Sequence, residues 1–382
     1  MNETVFSFRT ATEILFGRGS ARDSARRIRA FGSRILLVHG ANAARAAWLV
    51  ADLNRQDTDL LCLHVEGEPA LPALEPWLEA ARVHRPDVVV SLGGGAVLDA
   101  GKAIAGLLRS GRPVIDHLEV VGSGLPLEET PLPFIAIPTT AGTGAEVTRN
   151  AVIGVPEHHR KVSLRDPAML ARLAIVDPAL TDHAPKALTR DCGLDALTQL
   201  IEPYISNAAN RISDALVRGA LPDGINAFVT LMQGEDQAAR DDLAFASLCG
   251  GLALANAGLG VVHGLAGPLG GLMDAPHGAI CGALLVPGLL ANRAAVEDAG
   301  IRQRIDEVFG LIGKALGVSA EQAPEAFTEF LHAHGLRSLT ALGFTPEHFH
   351  EAAVMAESAS SMKTNPVALS RKVLLSILEQ AA

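Results

Sequence analysis

The chain reads as two domains: an α/β N-terminal domain on a parallel sheet over residues 1–180 and an all-α C-terminal domain over residues 181–382. Three observations predict this. Short β-rich apolar runs recur between residues 30 and 180, segments of helical length separate the first three, and beyond Asp177-Pro178 apolar residues recur at spacings of three and four.

The runs are RILLVH (34–39), LLCLHV (60–65), DVVVSL (87–92), PFIAIP (133–138) and RLAIVD (172–177). Unbroken stretches such as ILLV and VVV suit strands covered on both faces by crossover helices. A smaller piece, VTRNAVIGV (147–155), fits a hairpin. Past residue 180 the periodicity predicts helices over 185–205, 214–232, 241–258, 302–316, 325–335 and 346–360. No internal repeat is visible, and the Ala/Gly/Leu stretch at 248–260 reads as close helix packing. A ligand site is expected in the cleft between the domains.

Composition narrows the function classes. The 382 residues, 48% apolar, suffice for two full cores. With 32 Lys+Arg against 42 Asp+Glu the formal charge is −10, which lacks the cationic surface that nucleic-acid binding draws on. The start MNETVFSFRT has no cationic stretch followed by an apolar one, and no apolar run approaches the ~20 residues of a membrane-spanning helix. A soluble, cytoplasmic protein without a membrane partner is expected. Cys62, Cys192, Cys249 and Cys281 lie far apart with no CxxC pair, so reduced thiols are expected rather than a disulfide framework or a Cys-based zinc site.

Two loops carry phosphate-binding signals of a Rossmann-like sheet. The run DVVVSL leads into Gly93, Gly94 and Gly95 and then a helix, where glycines permit close backbone approach and free N–H groups favour an anion. Pro138 to Gly144, with Thr139, Thr140 and Thr143, follows another strand at its C-terminal end, where open α/β sheets bind ligands. Two such loops suit an extended ligand such as a dinucleotide, although a tight turn explains either alone. Lys161, beside Arg160 and Arg165, reads equally as a phosphate contact or a solvated face.

In DCGLDALTQLIEPYI, Asp195 and Gln199 stand four apart and share a helix face. His263 and His277 fall in segments whose glycines and prolines read as loops. One carboxylate and two imidazoles suit a catalytic divalent ion with an open position, while two of 13 histidines also fit as ordinary polar residues.

SLGGGAVLDAGKAIA, PTTAGTGAEVTRNAVI, KVSLRDPAMLARLAIVDP, GLDALTQLIEPYIS, and HGLAGPLGG followed by DAPHGAICGALLVP resemble, in order and separation, motifs of the iron-containing (group III) alcohol dehydrogenases from about residue 5 to 366. The resemblance implies a dehydroquinate synthase-like fold, related to glycerol dehydrogenase, with a dinucleotide-binding domain followed by a helical one. It also implies NAD(P)-linked interconversion of an alcohol with an aldehyde or ketone, and a homodimer. Gly93, Gly94, Gly95, Asp99 and Lys102 would line the pyrophosphate and nicotinamide side. Thr139, Thr140 and Thr143 would hold the nucleotide, with Lys161 reaching into the cleft. Asp195, His263 and His277 match three of four metal ligands and would form the catalytic set around Fe²⁺ or Zn²⁺.

Departures from that pattern are specific. Gln199 stands where the fourth ligand, a histidine, is usual, and an amide oxygen is the poorer donor to these ions. Gly267 replaces a histidine near the substrate, which removes a proton relay. Ala96 and Ala145 replace serines, and Ala70 replaces an asparagine. Gly40 occupies a cofactor position where NAD-preferring members carry aspartate, so NADP(H) meets no repulsion there, and Arg45 stands nearby in sequence. Lys363 and Asn365 echo a family pattern without an assignable role.

Rival readings remain open at this level. A metal-independent, maleylacetate reductase-like enzyme fits Gln199 but not Asp99 and the TTAGTG loop. A dehydroquinate synthase-like lyase fits poorly with the apolar VVHGLAGPLGGLM. A non-catalytic dinucleotide-binding relative fits Gln199 and Gly267.

Overall fold

The computed structural model describes residues 5–382, so the first four residues of the start read above as carrying no leader lie outside the described residues. Two compact units result. One comprises Thr10–Thr140 and Gly144–Asp182, and the other His183–Ala382 with Ala141–Thr143 and the described residues ahead of Thr10.

The first unit is a six-stranded parallel sheet in the order β1-β8-β5-β4-β2-β3. In chain order it runs β1 (Ile14–Phe16), α1 (Ser24–Arg29), β2 (Arg34–Gly40), α2 (Ala47–Asn54), β3 (Asp59–Val65), α3 (Leu71–His84) and β4 (Val88–Gly93). There follow α4 (Gly95–Leu107), α5 (Val114–His117), β5 (Phe134–Pro138), β6 (Asn150–Val155), β7 (Arg160–Arg165) and β8 (Leu173–Val176). Each predicted apolar run is a strand of this sheet. The central strands are buried on both faces: Ile35, Leu37, Val88 and Val90 pack with Ile28, Leu49 and Leu53 of α1 and α2, while α3 and α4 cover the opposite face. That double cover is why these strands read as continuous rather than alternating apolar runs.

The piece at 147–155 is only half of a hairpin. Its partner strand is β7, paired antiparallel from Asn150↔Arg165 to Val155↔Arg160. The short edge strand β1 has too few residues to show a period.

The second unit is helical: α6 (Lys186–Ile205), α7 (Arg211–Gln233), α8 (Gln237–Ala257), α9 (Val261–Leu272), α10 (His277–Ala295), α11 (Ala299–Leu316), α12 (Ala323–Ala333), α13 (Pro346–Ala356) and α14 (Arg371–Gln380). Phe228 of α7 is fully buried and meets Phe327 edge-on, with ring centroids 6.4 Å apart.

Two sequence expectations are corrected here. The segments holding His263 and His277 are helices α9 and α10, not loops. Their glycines serve close packing: a Cβ on Gly278 would overlap the Asp191 carbonyl of α6, one on Gly282 would overlap Leu194, and one on Gly264 would meet Met362. Tertiary contact overrides the poor helix propensity of glycine. Also, α10 is long and apolar enough by composition to cross a membrane, with 19 residues and a mean hydropathy of 1.4, contrary to the expectation that no run comes near that length. In this fold 61% of that apolar window is buried, against α6, α9 and α14.

Gly278→Ala is expected to destabilise the protein by about 1 to 3 kcal/mol, because backbone must move. Gly219→Ala, in open space on α7, should stabilise by about 0.5 to 1 kcal/mol. Urea unfolding midpoints of the two variants should move in opposite directions.

Candidate active site

Helix α6 is the rail on which one part of the site is built. Asp195, Gln199 and Glu202 follow at positions i, i+4 and i+7 and form one stripe of the helix. All three are buried. Such a stripe inside a core is costly unless each group finds partners.

Glu202 finds three. One carboxylate oxygen accepts the Val262 N–H at 2.7 Å, and the other accepts the His263 N–H at 3.4 Å and faces His263 Nδ1 at 2.7 Å. The first turn of α9 is completed by Asn365, whose Oδ1 accepts the Val261 N–H at 2.9 Å and whose Nδ2 donates to Asn292 Oδ1 at 2.7 Å. These side chains satisfy amides that a helix start leaves unpaired, and the negative charge sits at the favourable end of the helix dipole. Gly260 precedes the turn because a Cβ there would approach Asn365 Oδ1 at 2.8 Å and Glu202 Oε1 at 2.9 Å. Asn365 thus gains a role that the sequence left unassigned. Glu202 was missed, and its only sequence signal was the i+7 spacing from Asp195.

With α9 fixed and α10 drawn against α6, the three predicted residues meet. His263 Nε2 lies 3.3 Å and His277 Nε2 3.9 Å from Asp195 Oδ1, and the two rings are 5.5 Å apart by centroid. Cys281, one turn after His277, places its sulfur 3.6 Å from His277 Nε2. Asp195, His263, His277 and Cys281 each offer one donor atom, and all four atoms lie within 4.8 Å of one another, a set that could hold a metal ion.

The electrostatics match. Burial disfavours the Asp195 carboxylate, yet the His263 and His277 rings and the Gln199 amide hold it below its ordinary range. Burial likewise opposes a charged His263, but Cys281, Asp195 and Glu202 hold that ring well above the usual value. Cys281 and Asp195 carry His277 up to about 9 against the cost of burial. Cys281 and the Asp195 carboxylate together favour positive charge on the two rings, a place that a divalent cation could take. Gln199 Oε1 is buried without a hydrogen-bond partner. Gly267, one turn beyond His263 on α9, faces open space.

The predicted cofactor residues lie in the sheet unit, apart from Thr143, which belongs to the helical unit. Gly40, Gly93 and Pro138 end the adjacent parallel strands β2, β4 and β5. Gly93 must lack a side chain, since a Cβ would sit 2.6 Å from Val97. Gly94 caps α4 with no side-chain hydrogen bond, and Gly95 begins the helix. Val97 N–H donates to Gly94 O at 3.0 Å, which leaves the Gly95 and Ala96 amides of the first turn for an anion. Thr139 N–H donates to Gly93 O at 2.9 Å, and Thr140 lies against Gly94. The two loops therefore form one edge.

Lys102 departs from its expected place on the pyrophosphate and nicotinamide side. It is 1% exposed, donates to Thr148 Oγ1 at 3.0 Å and to Asn150 O at 2.6 Å, and lies 3.6 Å from Asp99. Its ammonium ties α4 to the hairpin. Asp99 accepts the Val152 N–H at 3.0 Å in the same tie. Lys161 is neither a solvated cation nor a free one, for it pairs with Glu68 at 2.5 Å. Arg45 donates to Leu180 O at 3.2 Å.

Comparison with known proteins agrees with this architecture. The chain matches the family model for iron-containing alcohol dehydrogenase over residues 11–178 and the C-terminal model of the Fe-containing alcohol dehydrogenase family over residues 189–382. It is 33% identical to alcohol dehydrogenase 4 of Saccharomyces cerevisiae over 323 residues, covering 83% of this chain and 81% of that protein. It is 33% identical to 1,3-propanediol dehydrogenase of Klebsiella pneumoniae over 328 residues, covering 83% and 81%. Among solved structures, a 1,3-propanediol oxidoreductase superposes with a TM-score of 0.88 at 28% identity over 99% of this chain and 100% of that one. Alcohol dehydrogenase from Oenococcus oeni gives 0.87 at 26% identity, with 99% and 100% covered.

Glu202→Gln keeps the shape but replaces one of two acceptor oxygens by a donor facing buried N–H groups. A loss of about 1 to 3 kcal/mol is expected in urea unfolding. Glu146, buried beside Lys102, gives a pH signature: burial pushes its carboxyl up to about 7, with its own backbone N–H and Lys102 pulling the other way. A raised folded-state value favours the protonated native form, so this contribution is whole below the ordinary carboxyl value of 4.5 and lost as pH rises through about 7. Glu146→Gln should flatten that fall and raise stability at pH 8, measured by urea unfolding across the range.

Proposed function

The chain belongs to the iron-containing alcohol dehydrogenase family, and from that membership we propose that it interconverts a short-chain alcohol and its aldehyde or ketone by hydride transfer. The observation that carries this reading is the meeting of Asp195, His263 and His277, brought together from three helices of one unit. Relatives named lactaldehyde reductase, from Escherichia coli, and 1,3-propanediol dehydrogenase support a small substrate.

Asp195, His263 and His277 would hold a divalent ion, and the edge formed by Gly40, Gly93, Gly94, Gly95, Thr139 and Thr140 would hold a nicotinamide dinucleotide. When bound, the ion supplies a Lewis acid for the substrate oxygen and the nicotinamide carries the hydride. Glu202, facing His263 Nδ1 at 2.7 Å, fixes the tautomer in which Nε2 presents a lone pair beside Asp195. The Gly95 and Ala96 amides at the start of α4 would receive the pyrophosphate. Gly40 presents no carboxylate to a 2′-phosphate, so NADPH is accepted alongside NADH. Solvent supplies the proton that completes reduction, because Gly267 has no donor to give.

The test follows NADH and NADPH oxidation with acetaldehyde, propanal and lactaldehyde after loading with Fe²⁺, Zn²⁺ or Mn²⁺. Metal-dependent turnover is expected, and His263→Ala should lower kcat/KM by a factor on the order of 10³. Equal turnover of metal-free and loaded protein would favour the metal-independent reductase that Gln199 raises. No oxidation under any combination would overturn the assignment.

A further inference from the structure

We propose that Cys281 is a metal ligand, completing with Asp195, His263 and His277 a mixed oxygen, nitrogen and sulfur site that selects Zn²⁺ over Fe²⁺. This inference rests on the metal reading above and deepens it.

Cys281 follows His277 by four residues on α10, so both side chains project from one helix face. The sulfur is buried and meets two imidazoles, at 3.6 Å from His277 Nε2 and 4.0 Å from His263 Nε2. A tetrahedral ion with bonds of about 2.0 Å to nitrogen or oxygen and about 2.3 Å to sulfur sets its donors roughly 3.3 to 3.5 Å apart. The separations here are 3.3 Å from Asp195 to His263, 3.9 Å from Asp195 to His277, and 3.6 and 4.0 Å from Cys281 to the two rings. Contraction by up to about half an ångström brings these four contacts to that spacing, and all the donor atoms already lie within 4.8 Å of one another.

Among the described residues a fourth donor stands beside Asp195, His263 and His277. Gln199 offers a neutral amide, and that amide hydrogen bonds to Asp195. Among the described residues the Cys281 thiol is the other group within reach. Coordination forms a metal–sulfur bond, breaks the S–H bond and releases the proton to solvent. A thiolate is soft, which favours Zn²⁺ among the ions considered. Two anionic ligands also cancel the charge of the dication, where one carboxylate and three imidazoles would leave it positive. The ion on this chain is therefore the milder Lewis acid. The chain has no cysteine pair of the kind that marks a Cys-based zinc site, and in this proposal a single thiol joins a carboxylate and two imidazoles.

The full-length protein, stripped of metal, is titrated with Co²⁺ and followed by absorption. The proposal expects visible ligand-field bands together with a near-ultraviolet thiolate-to-cobalt charge-transfer band. In Cys281→Ser the ligand-field bands should persist and the charge-transfer band should vanish. Competitive anaerobic loading with equal Fe²⁺ and Zn²⁺, read by elemental analysis, should show a zinc preference that is about tenfold or more larger in the unmodified chain than in the variant, and equal preferences in the two would overturn the selectivity. Ligand-field bands without charge transfer in the unmodified chain would overturn the sulfur ligand and leave the metal site standing. No cobalt spectrum at all would remove the metal reading itself, and this inference with it. The measurement on the unmodified chain decides even if the variant fails to fold.

Discussion

The close approach of helices α6 and α10 is the contact on which the site depends. Gly278 and Gly282 have no Cβ to hold the helices apart, so α10 lies against the Asp191 carbonyl and Leu194. That distance lets a carboxylate from one helix and an imidazole and thiol from the other reach a common point. A larger residue at either position would move the donors by more than coordination tolerates, without altering any donor. The third helix arrives by a different route, with Glu202 and Asn365 gripping its first turn so that His263 enters the same space. Shape brings in α10, and hydrogen bonding brings in α9.

The cluster carries its own electrostatic tension. Asp195 and Glu202 are anionic groups removed from water, and isolated burial of either would cost several kcal/mol. His263 stands between them and bonds to both, which makes it the hub of the arrangement. The partnerless Gln199 oxygen shows that the solution is incomplete on one side. Unlike the aliphatic core around it, this region is specified by charge, and a change to one member is felt by the others.

Much of the sheet unit was legible because its information is local. Runs such as RILLVH and DVVVSL declare buried strands by their own composition, and the triple glycine after β4 declares a tight turn into a helix. Asp195 and Gln199 were equally local, being one turn apart. His263 and His277 were identified as residues but placed on loops, since glycine and proline weaken the helical signal while the packing that rescues it lies in distant segments. Lys102 shows the converse. Its place in a familiar pattern suggested contact with a cofactor, yet only the fold reveals that the hairpin beyond β5 takes up its ammonium. Glu202 and Asn365 depend on pairings across 61 and 104 residues, which no short window contains, while Cys281, one turn from His277, gains its meaning only once His263 meets it from 18 residues away.

The role of Asn365 bears on when the protein becomes competent during its own synthesis. The strands of the sheet unit are complete once β8 has left the ribosome, and that half can acquire its structure early. The pocket of donors cannot. Until the chain has been translated past residue 365, the Val261 amide lacks its Asn365 acceptor, and the helix bearing His263 lacks that half of its clasp. Maturation of the reactive centre is thereby deferred until the segment bearing Asn365 has been made, and a nascent chain halted before that point would carry a finished sheet and an unassembled centre.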